Sequence, residues 1–372
     1  MKITGAVLDR IGAQRPYATT RPMRLAELEL RDPEPGELLV RIDAAGLCHS
    51  DLSVVNGDRP RPLPMLLGHE AAATVVRSGG ATQGFGPGDA VVLAFVAPCG
   101  ACAACDEGRE YLCGPAATAN GEGRLLRGGG RLEERGTAVL HHLGVSAFAD
   151  HAVVDARSAV RVDPTIPSEV AALFGCAVLT GVGAVLNTAR VRPGQSVAVF
   201  GLGGVGMSAV LGALVAGANP VVAIDPVAAK RELAQSLGAT LAVAPEDAAL
   251  AVNEARTGGV DVAIETAGKA SVLLAAYQAT RRGGTTVSVG LPNPREQLSI
   301  PAASLVAESR TLMGSYMGSA VPRRDIPAYI ELWRAGRLPV ERLLTSVSPL
   351  ADINRLLDEL ASGAALRQIL KP

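Results

Sequence analysis

The chain has 372 residues, a net charge of −1 at pH 7, and a composition that is 48% hydrophobic but only 3% aromatic. Balanced charge excludes the basic footprint of a nucleic-acid or anionic-membrane partner, and the length exceeds what one hydrophobic core usually supports, so two domains are expected. The N-terminus, MKITGAVLDR, has no hydrophobic signal region, so a cytoplasmic protein is expected, in which the six cysteines stay reduced and free to bind metal.

In chain order, the first half reads as short strands joined by turns. LAELELRDP, ELLVRIDAAGLC, EAAATVVRSG and GDAVVLAFV alternate or run apolar between Gly, Pro and Asp. GPAATANGEGRLLRGGGRLEERGTAV lacks periodicity and is predicted as a long surface loop, after which ADHAVVDARSAVRVDP returns to strand character. From Ser168, a candidate N-cap, SEVAALFGCAVLTGVGAVLNTA is predicted as one helical run. Its Gly, Cys, Thr and Asn content argues against a membrane span. Six strand-like segments follow, SVAVFG, PVVAID, ATLAV, VDVAIET, GTTVSVG and TLMGS, with helical patterns between them. Such alternation predicts a parallel sheet covered on both faces, of the size of a full dinucleotide-binding domain. The tail, with RDIPAYIELWRAG and LADINRLLDELASG, reads as helices that pack elsewhere.

SVAVFGLGGVGMSAV carries G-x-G-x-x-G between a strand and a helix. In that context Gly201 allows the tight turn, Gly203 admits a pyrophosphate, and Gly206 permits close helix packing. A glycine turn that binds nothing shows the same letters; the strand-to-helix position favours a coenzyme. Asp225, nineteen positions after Gly206, closes the next strand. A carboxylate there accepts ribose hydroxyls and repels a 2′-phosphate, which favours NAD over NADP.

CGACAACDEGREYLC places Cys99, Cys102, Cys105 and Cys113 at a spacing that can wrap four thiolates around one tetrahedral zinc. A closed four-cysteine site has no open position, so its role is structural; an iron–sulfur site or unligated thiols are the alternatives. Cys48 in GLCHSD and Cys176 in LFGCAVLTG remain, and His69 in LLGHEAA has similar surroundings. Neighbouring side chains in GLCHSD diverge, so Cys48 and His49 do not aim at one ion. Sequence spacing alone does not join Cys48, His69 and Cys176.

Together, GLCHSD, GHE, the four-cysteine segment, HHLGVSAFADHAVVD, GCAVLTG, GLGGVG, GSYMGS and the terminal LRQIL resemble the zinc-dependent medium-chain alcohol dehydrogenases along essentially the whole chain. The segment after Cys113 resembles the long-loop branch of the animal and glutathione-dependent formaldehyde enzymes. The resemblance implies an α/β fold: a GroES-like β-rich catalytic domain with a structural zinc lobe over 1–177, a six-stranded Rossmann coenzyme domain over 178–319, and a return to the catalytic domain over 320–372. It implies Cys48, His69 and Cys176 as catalytic zinc ligands, Asp51 as the partner of His69, Glu70 behind the zinc with a role in ligand exchange, and Ser50 as the hydroxyl that conducts the alcohol proton. It assigns Gly204 and Val205 of the glycine loop, Thr180, Val289, Ser315 and Met317 to the coenzyme, with Lys230 near the adenosine ribose and Arg367 on the pyrophosphate. Phe95, His142, Leu143 and Leu291 fall at substrate-pocket positions. One catalytic and one structural zinc per subunit, NAD, an alcohol or aldehyde substrate and a homodimer are expected. The activity implied is reversible hydride transfer from a primary or aromatic alcohol to NAD. Thiol-dependent formaldehyde oxidation and a nicotinoprotein with tightly held NAD are the alternatives.

The chain departs from many relatives twice. Ser53 stands five positions after Cys48, where a histidine often ends the proton relay; a serine hydroxyl passes a proton but is no base near neutrality. His49 stands where several relatives carry an arginine that binds the coenzyme pyrophosphate; it is expected to contact a pyrophosphate oxygen, and when neutral gives up the charge-assisted part of that bond.

Overall fold

The computed structural model describes residues 1–82 and 84–372. Contacts divide the chain into two units: Met1–Cys176 with Val321–Pro327 and Glu341–Pro372, and Ala177–Ala320 with Ala328–Val340. The tail is therefore shared, where the sequence reading assigns all of 320–372 to the first domain. Side-chain partners explain the difference. Asn187 Nδ2 donates to Tyr329 Oη at 3.4 Å, and Arg337 Nη2 to the Val215 carbonyl at 3.3 Å, both inside the second unit.

In the first unit, strands Lys2–Leu8, Met23–Leu30, Leu132–Glu134, Thr137–His141 and Met65–Leu66 close a barrel. Met23–Leu30 shows why it is a strand: Met23, Ala26, Leu28 and Leu30 are buried while Glu27 and Glu29 face water, the two-residue period of a pleated ribbon. A seven-stranded sheet centres on Glu37–Leu47, which pairs with Ala71–Ser78, His151–Asp155 and the C-terminal Arg367–Lys371. The strand that ends at Leu47 thereby delivers Cys48.

The stretch predicted as a surface loop holds helix Gly114–Glu122 and two of the barrel strands. Only Ala116 and Ala119 of that helix are buried, so its apolar stripe is two alanines wide and leaves almost no periodic signal. The helical run predicted from Ser168 is also corrected. Pro167 holds the N-cap position, helix Ser168–Leu173 stops, and a new helix starts at Ala177. At the break, a Cβ on Gly175 would lie 2.5 Å from the Leu93 carbonyl oxygen and 3.3 Å from Glu70 Cβ. The chain passes too close to strand Ala90–Leu93 for any other residue, and Cys176 is set down at that crossing.

The second unit is a six-stranded parallel sheet. We label its strands β1 (Val197–Phe200), β2 (Val221–Ile224), β3 (Leu241–Val243), β4 (Val260–Glu265), β5 (Thr280–Ser288) and β6 (Thr311–Gly314); their order is β3-β2-β1-β4-β5-β6. Every residue of β1, β2 and β4 is buried, which is why these segments read as apolar runs rather than alternations. The order reverses beside β1, and ligands of such sheets bind outside the carboxyl ends of the strands at that switch point. No helix among the described residues is long and apolar enough to cross a membrane.

Candidate metal centres and coenzyme site

Cys102 precedes the one-turn helix Ala103–Asp106, and Cys113 precedes helix Gly114–Glu122. These two turns fold the four-cysteine segment on itself, so that all four sulfurs lie within 4.8 Å of one another. Cys102 Sγ–Cys105 Sγ is 3.6 Å and Cys99 Sγ–Cys105 Sγ is 4.0 Å. A tetrahedron with zinc–sulfur bonds of about 2.3 Å has sulfur–sulfur edges of about 3.8 Å, so the lobe fits zinc. The Cys99 amide donates to Cys113 Sγ at 3.2 Å and stabilises a thiolate there. Burial pushes the Cys105 thiol up to about 12, while the Cys105 backbone amide brings Cys102 down to about 7. Four thiols this close cannot all ionise alone; a dication removes the conflict.

Cys48, His69 and Cys176 form a second buried cluster with ligand atoms within 4.8 Å of one another. Three elements converge here: the end of strand Glu37–Leu47, the turn after Gly68, and the helix break at Gly175. Gly68 has φ 93°, and a Cβ there would meet the Phe148 amide at 2.7 Å, so the turn that aims His69 requires glycine. Asp51, the third residue of helix His49–Val55, organises two ligands at once: Oδ2 accepts the Cys48 amide at 3.1 Å, and Oδ1 lies 3.1 Å from His69 Nδ1. His69 Nδ1–H thereby donates to Asp51, and its Nε2 is buried with no hydrogen bond. A buried imidazole nitrogen left without a proton partner, beside two thiols, is the donor set of a three-ligand zinc site. Cys176, followed by His69, holds the Cys48 thiol well below its usual range despite burial. Burial opposes the charged form of His69, but Asp51 and Cys48 overcome it and raise the imidazole to about 10. Burial would also raise Asp51; the facing His69 and His142 instead hold it below the carboxylate range.

Two aromatic edges wall His69: Phe95, with ring centroids 5.7 Å apart, and His142, at 5.6 Å. His142 Nδ1 lies 3.3 Å from the same Asp51 oxygen that His69 uses. Leu143, next to it, is buried with φ 51°. Ser50 is half-buried in the first turn of helix His49–Val55, and His49 is exposed. Ser53 Oγ donates to the His49 carbonyl at 2.8 Å, so its proton serves the helix. Arg367, which the resemblance assigns to a pyrophosphate, is buried with its guanidinium paired to Glu70. A Cβ on Gly46 would fall on Glu70, so glycine in the neighbouring strand makes room for this pair.

In the second unit, Gly201 has φ 92°, Gly203 caps helix Gly204–Val215, and a Cβ on Gly206 would overlap the Gly201 carbonyl oxygen. At Gly203 nothing stands within 4 Å of an added Cβ. That opening, at the N-terminus of a twelve-residue helix, is where a phosphate group can approach the backbone amides. Gly204 and Val205 form the first turn. Asp225 is buried; Oδ2 accepts the Leu202 amide at 2.7 Å and Oδ1 the Val227 amide at 2.8 Å. The carboxylate therefore ties β2 to the glycine loop and keeps further lone pairs for a ligand. Lys230 is half-buried on helix Ala228–Ser236. Thr180, Val289, Ser315 and Met317 are all buried; the Val289 amide donates to Glu265 O at 2.8 Å and the Ser315 amide to Ser288 O at 2.9 Å. Leu291 is 52% exposed.

The family profile described as alcohol dehydrogenase GroES-like domain matches residues 34–164, and the zinc-binding dehydrogenase profile matches 204–335. A Mycobacterium tuberculosis protein provisionally named alcohol dehydrogenase D is 38% identical over 375 residues, covering 100% of both chains. An S-(hydroxymethyl)glutathione dehydrogenase of Synechocystis is 35% identical over 376 residues, again over 100% of both. The solved benzyl alcohol dehydrogenase of Acinetobacter calcoaceticus is 31% identical, with a TM-score of 0.92 over 100% of this chain and 99% of that one. The chain belongs to the zinc-dependent alcohol dehydrogenase family. Its fold is accordingly a GroES-like domain followed by a Rossmann-type domain.

For a member of this family, the sequence reading missed two features. One is the shared use of Asp51 by two imidazoles, whose only trace is the doublet His141–His142. The other is the Glu70–Arg367 pair, which joins residues 297 apart along the chain. His141 does not join the metal cluster: its Nε2 accepts the Arg131 amide at 3.0 Å inside the barrel.

Proposed function

We propose that this chain is an NAD-dependent alcohol dehydrogenase that reversibly oxidises a primary or aromatic alcohol to the aldehyde. The observation that carries the reading is the buried Cys48–His69–Cys176 trio, with an unbonded imidazole nitrogen between two thiols. Zinc held there supplies Lewis acidity, which acidifies a hydroxyl and stabilises charge that develops on its oxygen. The chain's own residues do the rest. Asp51 orients His69, Phe95 and His142 exclude water beside it, and the Ser50 hydroxyl, two residues from Cys48, accepts the alcohol's hydrogen bond and relays its proton outward while giving up its own. The edges of Phe95 and His142 also favour a flat or narrow substrate side chain. Proton delivery ends at water or a coenzyme hydroxyl, because Ser53 is neither basic nor free of the helix carbonyl. NAD is favoured over NADP by the buried Asp225 carboxylate, beside which a 2′-phosphate would be repelled. One catalytic and one structural zinc per chain, a homodimer and a cytoplasmic location complete the proposal.

A panel of alcohols assayed with NAD and NADP tests it, together with zinc analysis and light scattering. Benzyl alcohol with NAD is expected to be turned over, with about two zinc per chain. Turnover of formaldehyde only with a thiol, the chemistry named for the Synechocystis relative, would replace this reading with the thiol-dependent one. NAD that survives dialysis would select the nicotinoprotein form.

A further inference from the structure

The second unit contains a residue, Thr188, that the coenzyme reading does not use. After helix Ala177–Gly183 the chain continues as a π-helix, Ala184–Ala189. Such π segments are rare and concentrate at functional sites. Thr188 in this segment bonds two serines. Its Oγ1 donates to Ser319 Oγ at 2.8 Å and lies 2.7 Å from Ser315 Oγ. A threonine hydroxyl has one proton, so the Ser315 hydroxyl must donate to Thr188. The result is a directed chain from Ser315 through Thr188 to Ser319.

Those serines bracket an unusual turn. Met317, Gly318 and Ser319 have φ 52°, 67° and 49°, three consecutive residues in the left-handed region. Only Gly318 occupies it without steric cost, so the turn persists because its surroundings over-determine it. Gly318 packs backbone to backbone: a Cβ there would lie 2.6 Å from the Leu179 carbonyl oxygen, and one on Gly183 2.5 Å from the Gly318 carbonyl oxygen. Asn187, beside Thr188, donates to the Gly318 carbonyl at 3.4 Å.

The turn follows the carboxyl end of β6, the last strand of the sheet. A doubly wound sheet binds a dinucleotide as two mononucleotides, one over each half. The glycine loop after β1 and Asp225 after β2 place the adenosine half over β1–β3. The carboxyl ends of β4, β5 and β6 are left for the nicotinamide half. We propose that Thr188 is a positioning residue for that half: its hydroxyl, held between Ser315 and Ser319, locks the Met317–Ser319 turn in the conformation that receives the nicotinamide end of the coenzyme. This inference rests on the coenzyme reading given above.

The test uses the zinc-loaded full chain and two probes, NADH and ADP-ribose, which shares the adenosine half but lacks the nicotinamide. Thr188→Val keeps the side-chain shape and deletes both hydrogen bonds. Loss of two neutral bonds is expected to weaken NADH binding about tenfold, with ADP-ribose affinity within about twofold of wild type, and Thr188→Ser is expected to restore NADH affinity. A merely structural role would move both ligands together. Equal losses for the two ligands, no loss for NADH, or failure of Thr188→Ser to rescue would overturn the proposal. If the wild-type chain binds neither probe, the coenzyme reading itself falls, and this inference with it.

Discussion

Asp51 and His69 are joined at 3.1 Å through Oδ1 and Nδ1, while the other Asp51 oxygen holds the amide of Cys48 at the same distance. One carboxylate thus sets the geometry of two ligands that lie twenty-one positions apart in the sequence. Both oxygens face donors, and asparagine has only one acceptor. In Asp51→Asn the amide NH2 must therefore oppose either the Cys48 N–H or the His69 Nδ1–H. Zinc affinity at the trio is expected to fall about 10- to 100-fold. Competition with a chromophoric chelator measures it, with the four-cysteine lobe as an internal reference. Equal affinity at the trio in wild type and variant would refute the role.

The glycine loop makes two opposite predictions. Gly203→Ala meets no atom within 4 Å, so urea stability should change by less than about 1 kcal/mol while NADH binding weakens at least about tenfold. Gly206→Ala places a methyl on the Gly201 carbonyl. Helix propensity favours alanine by up to about 1 kcal/mol, but overpacking against backbone costs about 1–3 kcal/mol, so a net loss of stability is expected. Similar behaviour of the two variants in unfolding and NADH titrations would contradict the packing argument.

Asp225→Ser removes a carboxylate that would repel a 2′-phosphate. It also surrenders the carboxylate's hold on the Leu202 and Val227 amides. The expected result is weaker NADH binding together with a kcat/KM ratio of NADP to NAD raised on the order of tenfold or more. An unchanged ratio would mean that coenzyme choice lies elsewhere.

His141, whose Nε2 accepts the Arg131 amide and which is not one of the metal ligands, supplies a pH dependence of its own. Burial, aided by the Arg131 charge, pushes its imidazole down to about 4, against about 6.5 in an unfolded chain. Between those values the unfolded state takes up a proton that the folded state refuses. This stability is thus complete above pH of about 6.5 and is lost as pH falls toward 4. From pH 7.5 to 5 the loss is about 2 kcal/mol. In His141→Gln the side-chain oxygen can still accept the Arg131 amide without titrating. Urea midpoints of the two proteins should diverge as pH falls; parallel curves would rule the assignment out.

Much of this protein was decided within short windows of sequence. Strand periods, the six α/β segments, the glycine loop and the four-cysteine lobe are legible because each is set by neighbours a turn or a pleat apart. Gly206 must be glycine because Gly201 is five residues away, and the C-x-x-C steps put sulfurs at metal distance by themselves. Weakly patterned segments were not legible: the helix at Gly114–Glu122 buries two alanines, and the break before Cys176 depends on Leu93 and Glu70. Tertiary structure alone brought Cys48, His69 and Cys176 together, turned Arg367 onto Glu70, set two imidazoles on Asp51 and clamped the Met317–Ser319 turn through Thr188. These contacts join residues far apart in the chain. Local propensity carries no record of them, because each exists only once separate strands and helices have packed and excluded water.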